Sequence, residues 1–425
     1  MTHSLHRTMA TPIPDGMDPS NIVYIAAVEG GGTSFTCAIG RLDITSSTLL
    51  DVVSSTNIPS STMPPSDTIS AACGYFTKQG ELYDIRALGV ACFGPLGLDE
   101  NDETYGCILS TTPKREWAGV NVLQPFLDVL SKNKINSIPY RLDTDVNAPA
   151  WEEFERFNAS IGEKKKIGSL AYITVGTGVG VGLIVNSKTV HGMMHPEGGH
   201  VCVSKLPDDK FDGYSWGKHC GAPYGGKCTV EGLASSVALL ERLQLSDNEY
   251  ENDDKNDPRA VLKDLPDDHP LWDHCANALA NLCVTLSLLV SIERIVFGGG
   301  VMKRTVLVSK IQTKTKQILN GYLGKVHQLG SVRNCLNGSD RCSTDSISSI
   351  NDFICTSAVG DDAGLHGALS LAKLAYFQHN NEKETLLSAK SSDSVHWKSF
   401  VLGALSAVAA LLSIQVTSKN FSRVK

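Results

Sequence analysis

Two stretches of the chain carry the same order of apolar runs and glycine turns. Residues 23–29 form an apolar run that reads as a buried strand, Gly30, Gly31, Gly32 and Thr33 read as a turn, and residues 35–39 read as a second strand. The order recurs with residues 170–174, then Gly176, Thr177, Gly178, Val179 and Gly180, then residues 181–185. Two such units about half a chain apart predict a duplicated α/β domain with a cleft between the copies. Between them, residues 87–92 predict a strand stopped by Phe93, Gly94 and Pro95, and residues 140–144 a strand end. A helix is expected over 149–157, where Trp151, Phe154 and Phe157 fall at helical spacing. A long apolar helix at 276–291 and a strand at 294–297 lead to Gly298, Gly299 and Gly300, and the small residues at 363–368 open a last helix able to pack closely.

These elements divide the chain into a flexible segment at 1–20, one lobe at 21–150 and a second at 151–376, with a polar, acid-rich surface insertion at 244–268. A polar linker is expected at 377–398. Residues 399–418 then hold twenty positions without a charge between Lys398 and Lys419. That length reaches what a ~30 Å hydrocarbon core requires, so a C-terminal membrane anchor is expected, with interfacial binding or docking on the enzyme as the alternatives.

Composition narrows the partners. The chain of 425 residues is 42% hydrophobic with a net charge of −7, and no Lys/Arg-rich stripe interrupts it, which argues against nucleic acid as a partner. Its twelve cysteines are scattered through apolar segments, a pattern of reduced thiols in a cytosolic protein. The first 20 residues contain no apolar run of secretory type.

The chemistry is concentrated in the turns. Glycine N–H groups approach phosphate oxygens with no Cβ in the way, so two glycine turns each carrying a threonine point to phosphate. No G-x-x-x-x-G-K-[ST] pattern is present, and the glycines at 176–182 lead into a strand, whereas a dinucleotide fingerprint opens a helix. Asp145 follows a strand end, where ligands of open α/β sheets collect.

Eight motifs in order resemble the sugar kinases of the repressor, open-reading-frame, kinase family, in particular its fructokinase branch. They are Glu29 to Thr33; Phe93, Gly94, Pro95; Ser110 to Pro113 with Trp117; Asp143 to Ala148; Gly176 to Gly180; His195 to His200; Cys228 with Glu231 to Ser235; and Gly298 to Val301. The resemblance implies a two-lobed, actin-like (ribonuclease H-like) ATPase fold that moves the γ-phosphoryl group of ATP, with Mg²⁺, onto a hexose. Fructose is favoured; glucose, mannose, an N-acetylhexosamine, or a catalytically weak membrane-tethered sugar-binding protein are the alternatives. It implies Asp145 as catalytic base and Asn147, Glu197, His200, Gly94 and Pro95 around the sugar. Gly31, Gly32, Thr33, Thr177 and Gly178 would approach the phosphates, Gly299 and Gly300 the adenine, and Glu29 a Mg²⁺-bound water.

Two departures stand out. Ser34 occupies a position where the branch commonly has lysine, and Ala222 and Gly225 stand where relatives have two zinc ligands. His200, His219, Cys220 and Cys228 form the zinc set that can still be written, with a loop held by packing alone as the rival reading. A homodimer with a cytoplasmic catalytic domain is the remaining expectation.

Overall fold

The computed structural model describes residues 13, 17–132, 134, 137–214, 221–243, 260–329 and 347–382. The first five strands are β1 (Ile22–Gly30), β2 (Ser34–Asp43), β3 (Thr48–Pro59), β4 (Ile85–Cys92) and β5 (Tyr140–Thr144), in the sheet order β3-β2-β1-β4-β5. β1, β2 and β3 run antiparallel, and β4 and β5 extend the sheet parallel to β1. The second sheet holds β6 (Leu170–Val175), β7 (Val179–Val185), β8 (Lys188–Thr189), β9 (Arg294–Gly298) and β10 (Ile354–Thr356), in the order β10-β9-β6-β7-β8. Again the first three are antiparallel and the last two parallel to the opening strand. Strand for strand, the two sheets share one plan, as the repeated glycine turns predict.

In the first half, α1 (Pro65–Gly80) joins β3 to β4, α2 (Gln124–Ser131) precedes β5, and α3 (Asn147–Ser160) follows it. Phe35, Phe76, Trp117 and Phe126 fill this half's core. In the second half, α4 (Val230–Ala234), α5 (Ser236–Arg242), α6 (Ala260–Asp264) and α7 (Leu271–Val290) separate β8 from β9, and α8 (Val306–Leu319) leads toward β10. By length and composition α7 alone among the described helices could cross a membrane. It instead buries Trp272, Cys275, Leu279, Leu282, Cys283 and Leu286 in the second core, beside Ile295 and Phe297 of β9.

The helix after each half's last strand lies on the other half's sheet. α3 packs on β6 and β7. Gly182 of β7 approaches the Val146 carbonyl so closely that a Cβ would sit 2.1 Å from it, and the Leu183 N–H donates to Asn147 Oδ1 at 3.2 Å. Reciprocally, residues 363–373, the start of the last helix, come back to the first half. A Cβ on Gly89 of β4 would lie 1.9 Å from the Ala368 carbonyl oxygen, and one on Gly367 would lie 2.5 Å from the Ala148 carbonyl carbon. Small residues at these crossings let backbone meet backbone.

Some boundaries differ from those expected. Within the insertion, residues 260–264 are helical: α6 buries Leu262, and Arg304 donates to the carbonyls of Leu262 and Lys263 at 3.0 and 2.7 Å. One apolar side chain in an acidic stretch is enough to anchor a helical turn. Residues 377–382 are helical, not linker, with Gln378 Nε2 donating to Glu382 Oε1 at 3.0 Å one turn on. The first compact unit closes at Lys373, inside this helix, and Leu374–Lys425 is the second. The candidate anchor at 399–418, the N-terminal residues 1–12 and the rest of the insertion, 244–259, lie outside the described residues. Every described cysteine carries a free thiol.

Candidate active site

β5 stops at Thr144 and α3 starts at Asn147, leaving a two-residue corner that carries Asp145. The Asp145 N–H donates to the Cys92 carbonyl at 3.0 Å, tying the corner to the end of β4. Beside it a polar network is already assembled. Asp143 Oδ1 accepts from the Thr144 N–H and from Asn147 Nδ2, both at 2.8 Å, while Asp143 Oδ2 lies 3.0 Å from His191 Nε2. That contact raises the His191 pKa above its ordinary value, so the ring keeps its proton to higher pH. Asn147 Nδ2 is 3.4 Å from the same ring nitrogen.

Gly94 and Pro95 follow β4, and the chain there is locked to the segment after β8. The Leu96 N–H donates to His195 Nε2 at 3.1 Å, and burial lowers the His195 pKa, so this imidazole is neutral and protonated on Nδ1. Nδ1 lies 3.5 Å from Glu197 Oε1, and Glu197 Oε2 lies 4.0 Å from His200 Nε2.

Three carboxyl groups in this cleft are shifted toward neutrality. Asp145 is pushed up to about 6 by burial, against the opposing pull of its own backbone N–H and of Lys114. Glu29, at the end of β1, is pushed up to about 7 by burial first and then by the charges of Asp145 and Asp362. Glu197, whose side chain is 43% exposed, is raised to about 7 by partial desolvation first, then by the charges of Glu231 and Asp145. A carboxylate poised near working pH suits a general base, because it is deprotonated yet retains proton affinity.

Both glycine turns are closed by their own backbone. The Gly31 N–H donates to the Ser34 carbonyl at 2.9 Å, leaving Gly32 and Thr33 exposed between β1 and β2. The Gly176 N–H donates to the Gly178 carbonyl at 2.9 Å, with Thr177 exposed at the tip. Glu231 of α4 braces the second turn: its Oε2 accepts from the Val179 N–H at 2.9 Å and would lie 2.7 Å from a Cβ on Gly178. Gly299 has φ +90°, and a Cβ there would strike the Val175 carbonyl oxygen at 2.5 Å. A Cβ on Gly176 or Gly300 would meet nothing within 4 Å. Backbone therefore borders open space at both places, and these residues fit a nucleotide.

The zinc expectation is not carried by the described residues, which contain no group of three or more His, Cys, Asp and Glu side chains placed to hold a metal. His219 and Cys220 lie outside the described residues. His200 Nδ1 is buried without a hydrogen-bond partner, so one ligand-type atom is present. The loop near Cys228 is nevertheless closed by backbone: the Gly225 N–H donates to Ala222 O at 2.9 Å and the Cys228 N–H to Asp212 O at 2.6 Å. Asp143, His191, His195 and Glu231 were not given roles from sequence. Three of them sit inside recognisable motifs, but His191 meets Asp143 only because the chain after β8 folds back onto the end of β5.

Residues 25–340 match the ROK family. The chain belongs to the ROK family. It is 33% identical over 351 residues to a fructokinase of Zymomonas mobilis, covering 82% of this chain and 96% of that one. A fructokinase of Pediococcus pentosaceus is 31% identical over 353 residues, covering 83% and 99%. The fold matches the crystal structure of a ROK family glucokinase from Streptomyces griseus in complex with glucose and AMPPNP, with a TM-score of 0.52 at 21% identity over 83% of this chain and 99% of that one. The two sheets are accordingly those of the actin-like ATPase fold, and this ROK protein is a sugar kinase.

Proposed function

We propose that this ROK kinase transfers the γ-phosphoryl group of ATP to O6 of D-fructose, with Asp145 as the base. The observation that carries the mechanism is the Asp145 carboxyl, half-buried at the β5–α3 corner, its pKa pushed up to about 6 by desolvation, next in sequence to the Asp143, Asn147 and His191 network. Asn147, Glu197, His200, Gly94 and Pro95 surround the sugar. Asp145 accepts the proton of the sugar hydroxyl as the new O–P bond forms and the bond to the β-bridging oxygen breaks, releasing ADP. Gly31, Gly32 and Thr33 hold phosphates from one side and Thr177 and Gly178 from the other, while Gly299 and Gly300 border the adenine. Glu29 is suited to hold a water on Mg²⁺, whose charge offsets that of the phosphates when bound. No step passes through zinc.

Fructose is favoured because the curated fructokinases align along nearly their whole length. ATP-dependent ADP release with fructose, glucose, mannose and N-acetylmannosamine tests this. Fastest turnover on another hexose would move the acceptor, and folded protein silent with every sugar would overturn the reading. A dimer and membrane attachment through 399–418 are separate proposals, checked by light scattering and by vesicle flotation of the full chain.

A further inference from the structure

The segment after Pro113 lies within the first half, against Phe35 of β2 and Phe93 at the end of β4. Thr112 Oγ1 lies 3.4 Å from the Gly94 carbonyl and accepts from the Lys114 N–H at 3.3 Å, so the root of Lys114 is tied to the Gly94 corner. Trp117, three residues on, is fully buried and stacks on Phe35 at 5.1 Å and edge-on to Phe93 at 5.5 Å. Its N–H donates to the Lys114 carbonyl at 2.9 Å, which holds that backbone in place. From this fixed root the Lys114 side chain runs over the Phe93 ring, with Nζ 4.9 Å from its centroid. Its tip ends at the first glycine turn: Cε and Nζ are each 3.7 Å from where a Cβ of Gly32 would be.

We infer that Lys114 is the cation that neutralises the phosphoryl group in transit, reaching it from the sugar side of the cleft while the turn at Gly31, Gly32 and Thr33 holds the nucleotide. The inference rests on the kinase reading above. Its logic is positional. The transferred group must travel between the phosphate turn and the hydroxyl facing Asp145, and the ammonium ends beside that turn. A fixed positive charge there meets the charge spread over the three equatorial oxygens of the loose transition state. The aromatic face beneath the ammonium keeps it in line without supplying a competing anion. The same charge acts on Asp145, lowering the pKa that burial raises. Lys114 itself is shifted downward by burial, with Glu116, Cys92 and Asp145 opposing that shift.

The test compares Lys114→Met and Lys114→Arg with the wild type, each checked for folding by its thermal unfolding curve. Lys114→Met is expected to lose ~10²–10³ in kcat, the scale of one removed transition-state donor, with the KM for fructose changing little. The acidic limb of its kcat profile moves to higher pH, because Asp145 loses the charge that favoured its ionised form. Lys114→Arg retains most of the wild-type kcat. A Lys114→Met enzyme with kcat within about twofold of wild type, or one whose defect lies wholly in the KM for fructose, overturns the inference. Wild-type protein inactive with fructose would instead count against the fructokinase reading, and the same comparison would then be made on the hexose it does phosphorylate.

Discussion

Replacing Asp145 by Asn should make the protein slower and more stable, and the two effects have different pH signatures. Asn keeps the size of the side chain but cannot accept a proton, so kcat should fall by ~10²–10⁴ while fructose and ATP still bind. The stability effect follows from the Asp145 pKa, raised from 3.8 to about 6. The folded state holds the proton more tightly than the unfolded chain, so the stability linked to this group is fully present below the unfolded pKa and is lost as pH rises toward the folded one. At about 1.4 kcal/mol per pKa unit, ionised Asp145 costs the wild type roughly 3 kcal/mol at pH 8 and about half of that at pH 5. Asn carries no such cost. Thermal and urea unfolding at pH 5, 6 and 8 should therefore show a gap in favour of Asp145→Asn that widens up to pH 6 and then levels off. A variant no more stable than wild type at pH 8, or one with unimpaired turnover, would refute the assignment of a desolvated base.

Glycine positions give a paired contrast: Gly89→Ala drives a Cβ to within 1.9 Å of the Ala368 carbonyl and should cost at least ~3 kcal/mol in urea unfolding, whereas Gly74→Ala inside α1 meets nothing within 4 Å and should gain ~0.5–1 kcal/mol. Equal effects at the two sites would undo the close-approach argument. His191 should titrate above 6.5 by NMR because of Asp143, and Asp143→Asn should bring it down; a ring already at or below its ordinary value would remove it from the network. Glu231→Ala frees the Val179 N–H and should raise the KM for ATP roughly tenfold with smaller change in the KM for fructose, since the brace lies under the second phosphate turn.

The parts of the fold legible in the sequence were those that alternate on a short scale. Both strand–turn–strand units, the stop after β4 and the corner at Asp145 stand out because glycine and apolar runs are local signals. β3 was missed because its twelve residues leave only Ile58 buried, and the Ser, Thr and Asn along it hide the strand behind a polar face. The start of α6 was hidden the same way by acidic neighbours. Among site residues, Glu231 and Val179 are 52 positions apart, and His191 and Asp143 are 48. No periodicity relates such pairs; only the path of the backbone does. Lys114 presents the same difficulty, since its nearness to Gly32 exists only once the chain after β4 folds back over the turn between β1 and β2.

The exchange of helices between the two sheets bears on how such a protein can be divided. Neither half is a self-sufficient building block: cut in the exposed turn after α3, the first fragment would carry a helix with no sheet to lie on, and its own sheet would wait for the helical residues 363–373. The architecture is duplicated, yet its independence is not. A single copy with this layout would need a second copy of itself to complete its core, and the one chain supplies both.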